Sequence, residues 1–152
     1  MPIRVLACKK KLWTIGLAVY LVNTNIWLER LLNQQQAAIV GEFLQAIPSE
    51  NLAMSDFTFH SIALALTRRQ LSTPLQEFIQ DAFVEGNVGL LSLPPMEASS
   101  VLRTMREQNL DYDDAYQYAT AEQYDLILVS FDTDFDNTYQ GRKAPQEILS
   151  KE

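Results

Sequence analysis

Four short apolar runs, set at wide intervals, constrain this chain more than any other feature. They are "AVYLV" (Ala18–Val22), "LAMS" (Leu52–Ser55), "VGLLSL" (Val88–Leu93) and "LILVS" (Leu126–Ser130). Each is too short for a helix, and none alternates apolar with polar residues, the pattern of strands covered on both faces. The stretches between them carry apolar residues at helical spacing. Strands that alternate with helices need crossover connections, so the sheet they form is largely parallel. The expected fold is α/β: a three-layer α/β/α sandwich with a central, mainly parallel sheet. A chain of 152 residues is one domain's worth and can bury such a core.

Ile26, Leu28, Leu31 and Leu32 predict a helix after the first strand. A second is expected from Gln35 to Ile47, with Ala38, Phe43, Leu44 and Ile47 inward, ended by Pro48. Ser55 or Asp56 can cap a helix running to about Leu66. Ser72-Thr73-Pro74 is a helix start, with the serine as cap and the run ending near Val84 before Gly86. Pro94-Pro95 opens a helix to about Gln108, and Asp111 or Tyr112 opens another through "DDAYQYATAEQY". The tail "GRKAPQEIL" reads as a short last strand or helix.

The N-terminal "KKKLWTIGLAVYLV" has the basic-then-apolar order of a secretion signal, but no small-residue cleavage site follows and the run is too short to span a bilayer. Residues 1–17 are therefore read as a loose extension and 18–152 as a single domain, with no membrane association. The lone cysteine, Cys8, offers no internal disulfide and suits a reducing, cytoplasmic setting. Net charge is −7, and between Asp111 and Asp136 there are eight acids and no lysine or arginine. That excludes nucleic-acid binding by bulk positive charge; contact would have to be local or bridged by metal. Arg68, Arg69, Arg103 and Arg106 read as solvated helix faces, and Trp27 as core.

In parallel sheets the ligand crevice lies beyond the carboxyl ends of the strands. Asn23 follows the first strand, Ser55 the second, and Asp132, Asp134 and Asp136 the fourth. Asp113 and Asp114 sit near the start of the preceding helix. Carboxylates gathered at one edge suit Mg2+ or Mn2+, which prefer oxygen ligands, and such sites support attack of water on a phosphate ester. Aspartates after strands also serve simply as caps and turn residues. "DTDFDNTYQGRK" is not an EF-hand loop: its sixth position is Asn137 rather than glycine and its twelfth is Lys143 rather than glutamate. "DFDNT" resembles a haloacid dehalogenase nucleophile motif, but only 14 residues follow Thr138, too few for the rest of that fold.

Taken in order, "VYLVNTNIWLERLL", "MSDFTFHSIALAL" and "LDYDDAYQYATAEQYDLILVSFDTDFDNT" resemble the four blocks of the PIN domain family. Those blocks are a strand followed by D-T-N or D-T-S, then S-x-x-T-x-x-E, then an Asp-Ala pair opening a helix, then T-x-D-x-D-F after the last core strand. The resemblance covers about Val19 to the C-terminus. It implies a PIN-like sandwich and a metal-dependent ribonuclease of the VapC toxin type, hydrolysing RNA phosphodiesters with Mg2+ or Mn2+. It further implies a small antitoxin protein as partner and a homodimer. Asp114 and Asp132 take the catalytic, metal-holding positions, with Asp134 as an auxiliary ligand. Ser130 stands where threonine is usual, and Thr24 and Asn25 match the pair after the first carboxylate.

Two positions depart from the pattern. Asn23 stands where the first acid belongs, and Ser61 where the second-block glutamate belongs. An asparagine carbonyl can still ligate a hard cation, but without charge. Losing two negative charges weakens cation attraction and makes a hydroxide nucleophile scarcer. The alternative expectation is a catalytically impaired PIN-fold protein acting as a binding or interaction module. His60 neighbours Ser61 but points about 100° away on a helix, so the two cannot both face the site. Asp136 reads as a solvated turn residue.

Overall fold

The computed structural model describes residues 18–151; the expected extension over 1–17 lies outside them. Four strands, β1 (Tyr20–Val22), β2 (Leu52–Ser55), β3 (Gly89–Leu91) and β4 (Ile127–Val129), form one sheet in the order β3-β2-β1-β4. Every pairing is parallel. Seven α-helices are described: α1 (Thr24–Leu31), α2 (Ala37–Ala46), α3 (Asp56–Arg68), α4 (Ser72–Ile79), α5 (Ala98–Gln108), α6 (Tyr112–Tyr124) and α7 (Pro145–Leu149). No helix among the described residues is long and apolar enough to cross a membrane.

The strands divide their side chains between two cores, as the two-residue period of a strand requires. Leu21, Ala53, Leu91 and Leu128 face one layer, with Val101 of α5 and Ala115, Tyr118 and Ala119 of α6. Val22, Met54 and Val129 face the other, with Ile26 and Trp27 of α1, Phe43 of α2, Ile62 and Leu66 of α3, Phe78 of α4 and Ile148 of α7. Trp27 is core, as expected: its indole N–H donates to the Val22 carbonyl at 3.1 Å and its ring meets Phe78 edge-on. The expected three-layer sandwich is the observed one.

Local differences have local causes. Helix α2 starts at Ala37, and its buried stripe is Ala37, Val40, Gly41 and Phe43, so Ala38 is exposed rather than inward. Ser72 is the first residue of α4 rather than its cap, and it makes no capping bond. The helix then loosens into a π-helical turn over Gln80–Glu85. The tail is both alternatives at once: Lys143 bridges to Val129 beside β4, and α7 follows. The exposed arginines 68, 69, 103 and 106 are solvated, as read from sequence.

The order 3-2-1-4 positions the site. From β1 the chain moves outward through β2 to β3, then returns past β1 to place β4 on its other side. The connections leaving β1 and β4 diverge, and a crevice opens at their carboxyl ends. Phe135, fully buried on the turn Thr133–Asn137 that follows β4, pins this acidic segment to the α5–α6 layer. We expect Phe135→Ala to cost about 3–5 kcal/mol. A lowered urea midpoint with an unchanged slope would register it; a midpoint within error of the parent would contradict the pinning role.

Candidate metal centre

The crevice at the β1/β4 switch is a cleft of about 280 Å³. Asn23, Thr24 and Asn25 line it from the start of α1, and Phe57 and Ser61 from α3. Asp113, Asp114 and Gln117 line it from α6, and Asp132 from the segment after β4. These residues are far apart in the chain and meet only because β4 inserts beside β1.

One oxygen from each of Asp114, Asp132 and Asp134 lies within 4.8 Å of the others. Asp134 is exposed and belongs to this cluster without belonging to the cleft wall. The Asp132 carboxylate accepts from the Asp134 backbone N–H at 2.9 Å, which turns the two residues toward each other. Burial is the main force on Asp114, and repulsion from Asp113, Asp132, Asp134 and Asp111 adds to it. Together they push its carboxyl from 3.8 up to about 7. The positive end of α6, which should favour an anion at Asp114, is outweighed.

Asn23 is buried at 7% exposure and committed at both ends of its amide. Its Oδ1 accepts from Thr24 N at 2.8 Å, capping α1, and its Nδ2 donates to Ser130 Oγ at 3.0 Å. Ser130 Oγ also accepts from Asn25 Nδ2 at 3.1 Å and from Asp132 N at 3.0 Å. Three donors thus converge on an oxygen with two lone pairs. Ser130 is a hub behind the cleft wall rather than a lining residue.

The other expected residues are also placed. Thr24 Oγ1 donates to Thr58 Oγ1 at 3.1 Å, joining α1 to α3. Ser61 faces the cleft, whereas His60 is exposed with its ring against Phe59. Asp136 is held by Arg142 in a two-pronged ion pair, at 2.9 and 3.1 Å, so it is not merely solvated. Sequence reasoning missed Gln117 and Phe57 as parts of the wall. Gln117 stands three residues after Asp114, a spacing that puts both on one helix face, and that was the available signal.

The donor set fits a hard divalent cation: three converging carboxylates, with neutral oxygens from Asn23, Thr24 and Ser61 on the same cleft. In the cation-free protein the carboxylates' mutual repulsion is uncompensated. Above about pH 7 Asp114 is ionised in both folded and unfolded chains, and the native state carries the full penalty. As pH falls below 7 the native carboxyl takes up a proton first, and the penalty shrinks toward the unfolded value of 3.8. Allowing for solvent screening of a half-buried group, Asp114→Asn should stabilise the metal-free protein by about 1 kcal/mol at pH 8. That corresponds to melting roughly 2–4 °C higher, with the gap narrowing toward pH 5. A variant that melts lower at pH 8 would contradict this.

Comparison with known proteins agrees with the geometry. The family model described as "PIN domain" matches residues 20–141. No curated protein matches the chain. Several solved structures share its fold. A toxin–antitoxin complex from Klebsiella pneumoniae is 20% identical with a TM-score of 0.68, over 84% of this chain and 98% of that one. FitAcB from Neisseria gonorrhoeae is 21% identical with a TM-score of 0.67, over 84% and 99%. PAE2754 from Pyrobaculum aerophilum is 22% identical with a TM-score of 0.62, over 88% and 94%. With a family model spanning nearly all of the sheet and both walls of the cleft, the chain belongs to the PIN domain family.

Proposed function

We propose that this protein is a metal-dependent endoribonuclease of the VapC type that hydrolyses RNA phosphodiesters using Mg2+ or Mn2+. The observation that carries the reading is the approach of Asp114, Asp132 and Asp134 to within 4.8 Å of one another at the cleft. A divalent cation supplies a hydroxide nucleophile near neutral pH and offsets the charge of the phosphate. Asp114 and Asp132 would hold it, Asp134 would assist from the exposed side, and the second lone pair of Asn23 Oδ1, beyond the one that caps α1, would add an uncharged oxygen. Asn23 and Asn25 also fix the backbone around Ser130 and Phe131, since Asn25 Oδ1 accepts from Phe131 N at 3.2 Å. That holds the Asp132 segment in register with α1. A net charge of −7 gives the RNA backbone no general attraction, so the cation is the local positive charge it meets.

The similar structures include a toxin–antitoxin complex, which supports an antitoxin protein as partner; a homodimer as the working form and a cytoplasmic setting belong to the same proposal. Cleavage of single-stranded RNA with Mn2+ tests the activity. Asp114→Asn should lower the rate at least 100-fold, and chelator should abolish it; a rate indifferent to both would sink the mechanism.

A second reading has its own observation. Asn23 is buried, with its amide N–H donating to Ser130, so an uncharged residue is built into the first acidic position. With Ser61 also neutral, the protein then serves as a binding or interaction module on a PIN fold. On this reading the native chain lacks Mn2+-dependent cleavage. Asn23→Asp combined with Ser61→Glu should tighten Mn2+ binding roughly tenfold or more by calorimetry; no gain would show that these two substitutions are not what disables the site.

A further inference from the structure

Gln117 lines the cleft and is less exposed than Asn23 or the aspartates to which the proposed chemistry is assigned. It is 2% exposed, on the face of α6 that carries Asp114 one turn earlier. Both hydrogens of its amide are spent inward: Nε2 donates to Ser55 Oγ at 2.9 Å and to Thr58 Oγ1 at 2.8 Å. Ser55 and Thr58 are fully buried, and Ser55 Oγ also caps α3 by accepting from Thr58 N at 3.0 Å. Both amide hydrogens thus have acceptors on α3 and at its cap. Its other end, Oε1, is buried and receives no hydrogen bond, the single side-chain atom of that kind among the described residues. A buried acceptor left without a donor is costly, and native proteins rarely keep one without use.

The surrounding wall does not supply what Oε1 lacks. Asp113, Asp114 and Asp132 present acceptors when ionised, and the Asn23 amide N–H is committed to Ser130. A buried acceptor on a side chain that lines the same cleft as these carboxylates calls for a positive partner. The geometry points to Gln117 Oε1 as an uncharged oxygen ligand, on the buried wall, for the divalent cation held by the aspartates; the inference rests on that cation site. Helix α6 then contributes two oxygens from successive turns, one charged and one neutral. The neutral one matters because the site already crowds three carboxylates. A carboxamide adds coordination without adding repulsion, and its bonds to Ser55 and Thr58 hold the side chain at the wall before the cation arrives.

Titration of Mn2+ into the full chain by calorimetry, with melting measured without metal, tests this. Gln117→Leu fills nearly the same volume and removes only the polar atoms. It should weaken Mn2+ binding about tenfold, and the metal-free melting temperature reads the loss of the Ser55 and Thr58 bonds separately. Gln117→Glu, whose carboxylate the Ser55 and Thr58 hydroxyls can meet by turning to donate, should tighten binding. If Asp114→Asn weakens Mn2+ binding while Gln117→Leu binds as the native chain does, the role of Gln117 is overturned and the cation site stands. If the native chain takes up no Mn2+ at millimolar concentration, both fall. Where Gln117→Leu does not fold, Gln117→Glu decides: binding no tighter than native overturns the inference.

Discussion

Three carboxylates within reach of one cation cannot all be ionised cheaply when no cation is there, and much of the surrounding architecture manages that conflict. Burial and neighbouring charge push the Asp114 carboxyl up from 3.8 to about 7, so it carries a proton far more readily than a free carboxylate does. Asp132 and Asp134 are tied by a backbone hydrogen bond. The turn that carries them is pinned below by Phe135 and drawn away at its far end by the Arg142–Asp136 pair. The repulsion is therefore contained by packing rather than relieved by splaying the segment into solvent.

The hydrogen-bond network behind the cleft explains how neutral residues occupy positions where acids would be expected. Ser130 Oγ gathers N–H groups from Asn23, Asn25 and the Asp132 backbone. A carboxylate at position 23 would accept from the serine hydroxyl; asparagine reverses that bond and keeps the connection. A second network runs from Gln117 through Ser55 and Thr58 to Thr24, stitching α6, α3 and α1 together around the same opening. Polar residues here do two jobs, bracing the walls and presenting oxygens to the space between them.

Much of this was legible in the sequence because the informative signals are local. The strand "LAMS" was bounded correctly since a 3-10 turn at Ser49–Asn51 precedes it and a serine cap follows. Asp132 could be set at the crevice because it follows a strand end in a parallel sheet, whereas Asp114, near the start of α6, was singled out by the resemblance; both line the cleft. Ala38 was misplaced because helix phase depends on where α2 starts, and Gln36 offers no side-chain cap to announce it. Gln117 was not legible as part of the wall. Its importance lies in which of its two amide ends meets Ser55 and Thr58, and that is a property of helices α3 and α6 in contact. Asp136 was misjudged for the same reason, since its partner Arg142 is brought back by the bridge between Lys143 and Val129.

The place of β4 has a consequence for the birth of the protein. Asn23 and Ser130 are hydrogen-bonded across 107 positions of sequence, and β1 has an open flank until Ile127–Val129 docks along it. During synthesis the first three strands and their helices can gather while that flank still waits. Neither Asp132 nor Asp134 exists in the emerging chain until the first three strands and helices α1 to α6 have been made. The cleft is therefore finished only once β4 and the segment after it arrive, and a chain stalled before them carries one wall of the site without the other.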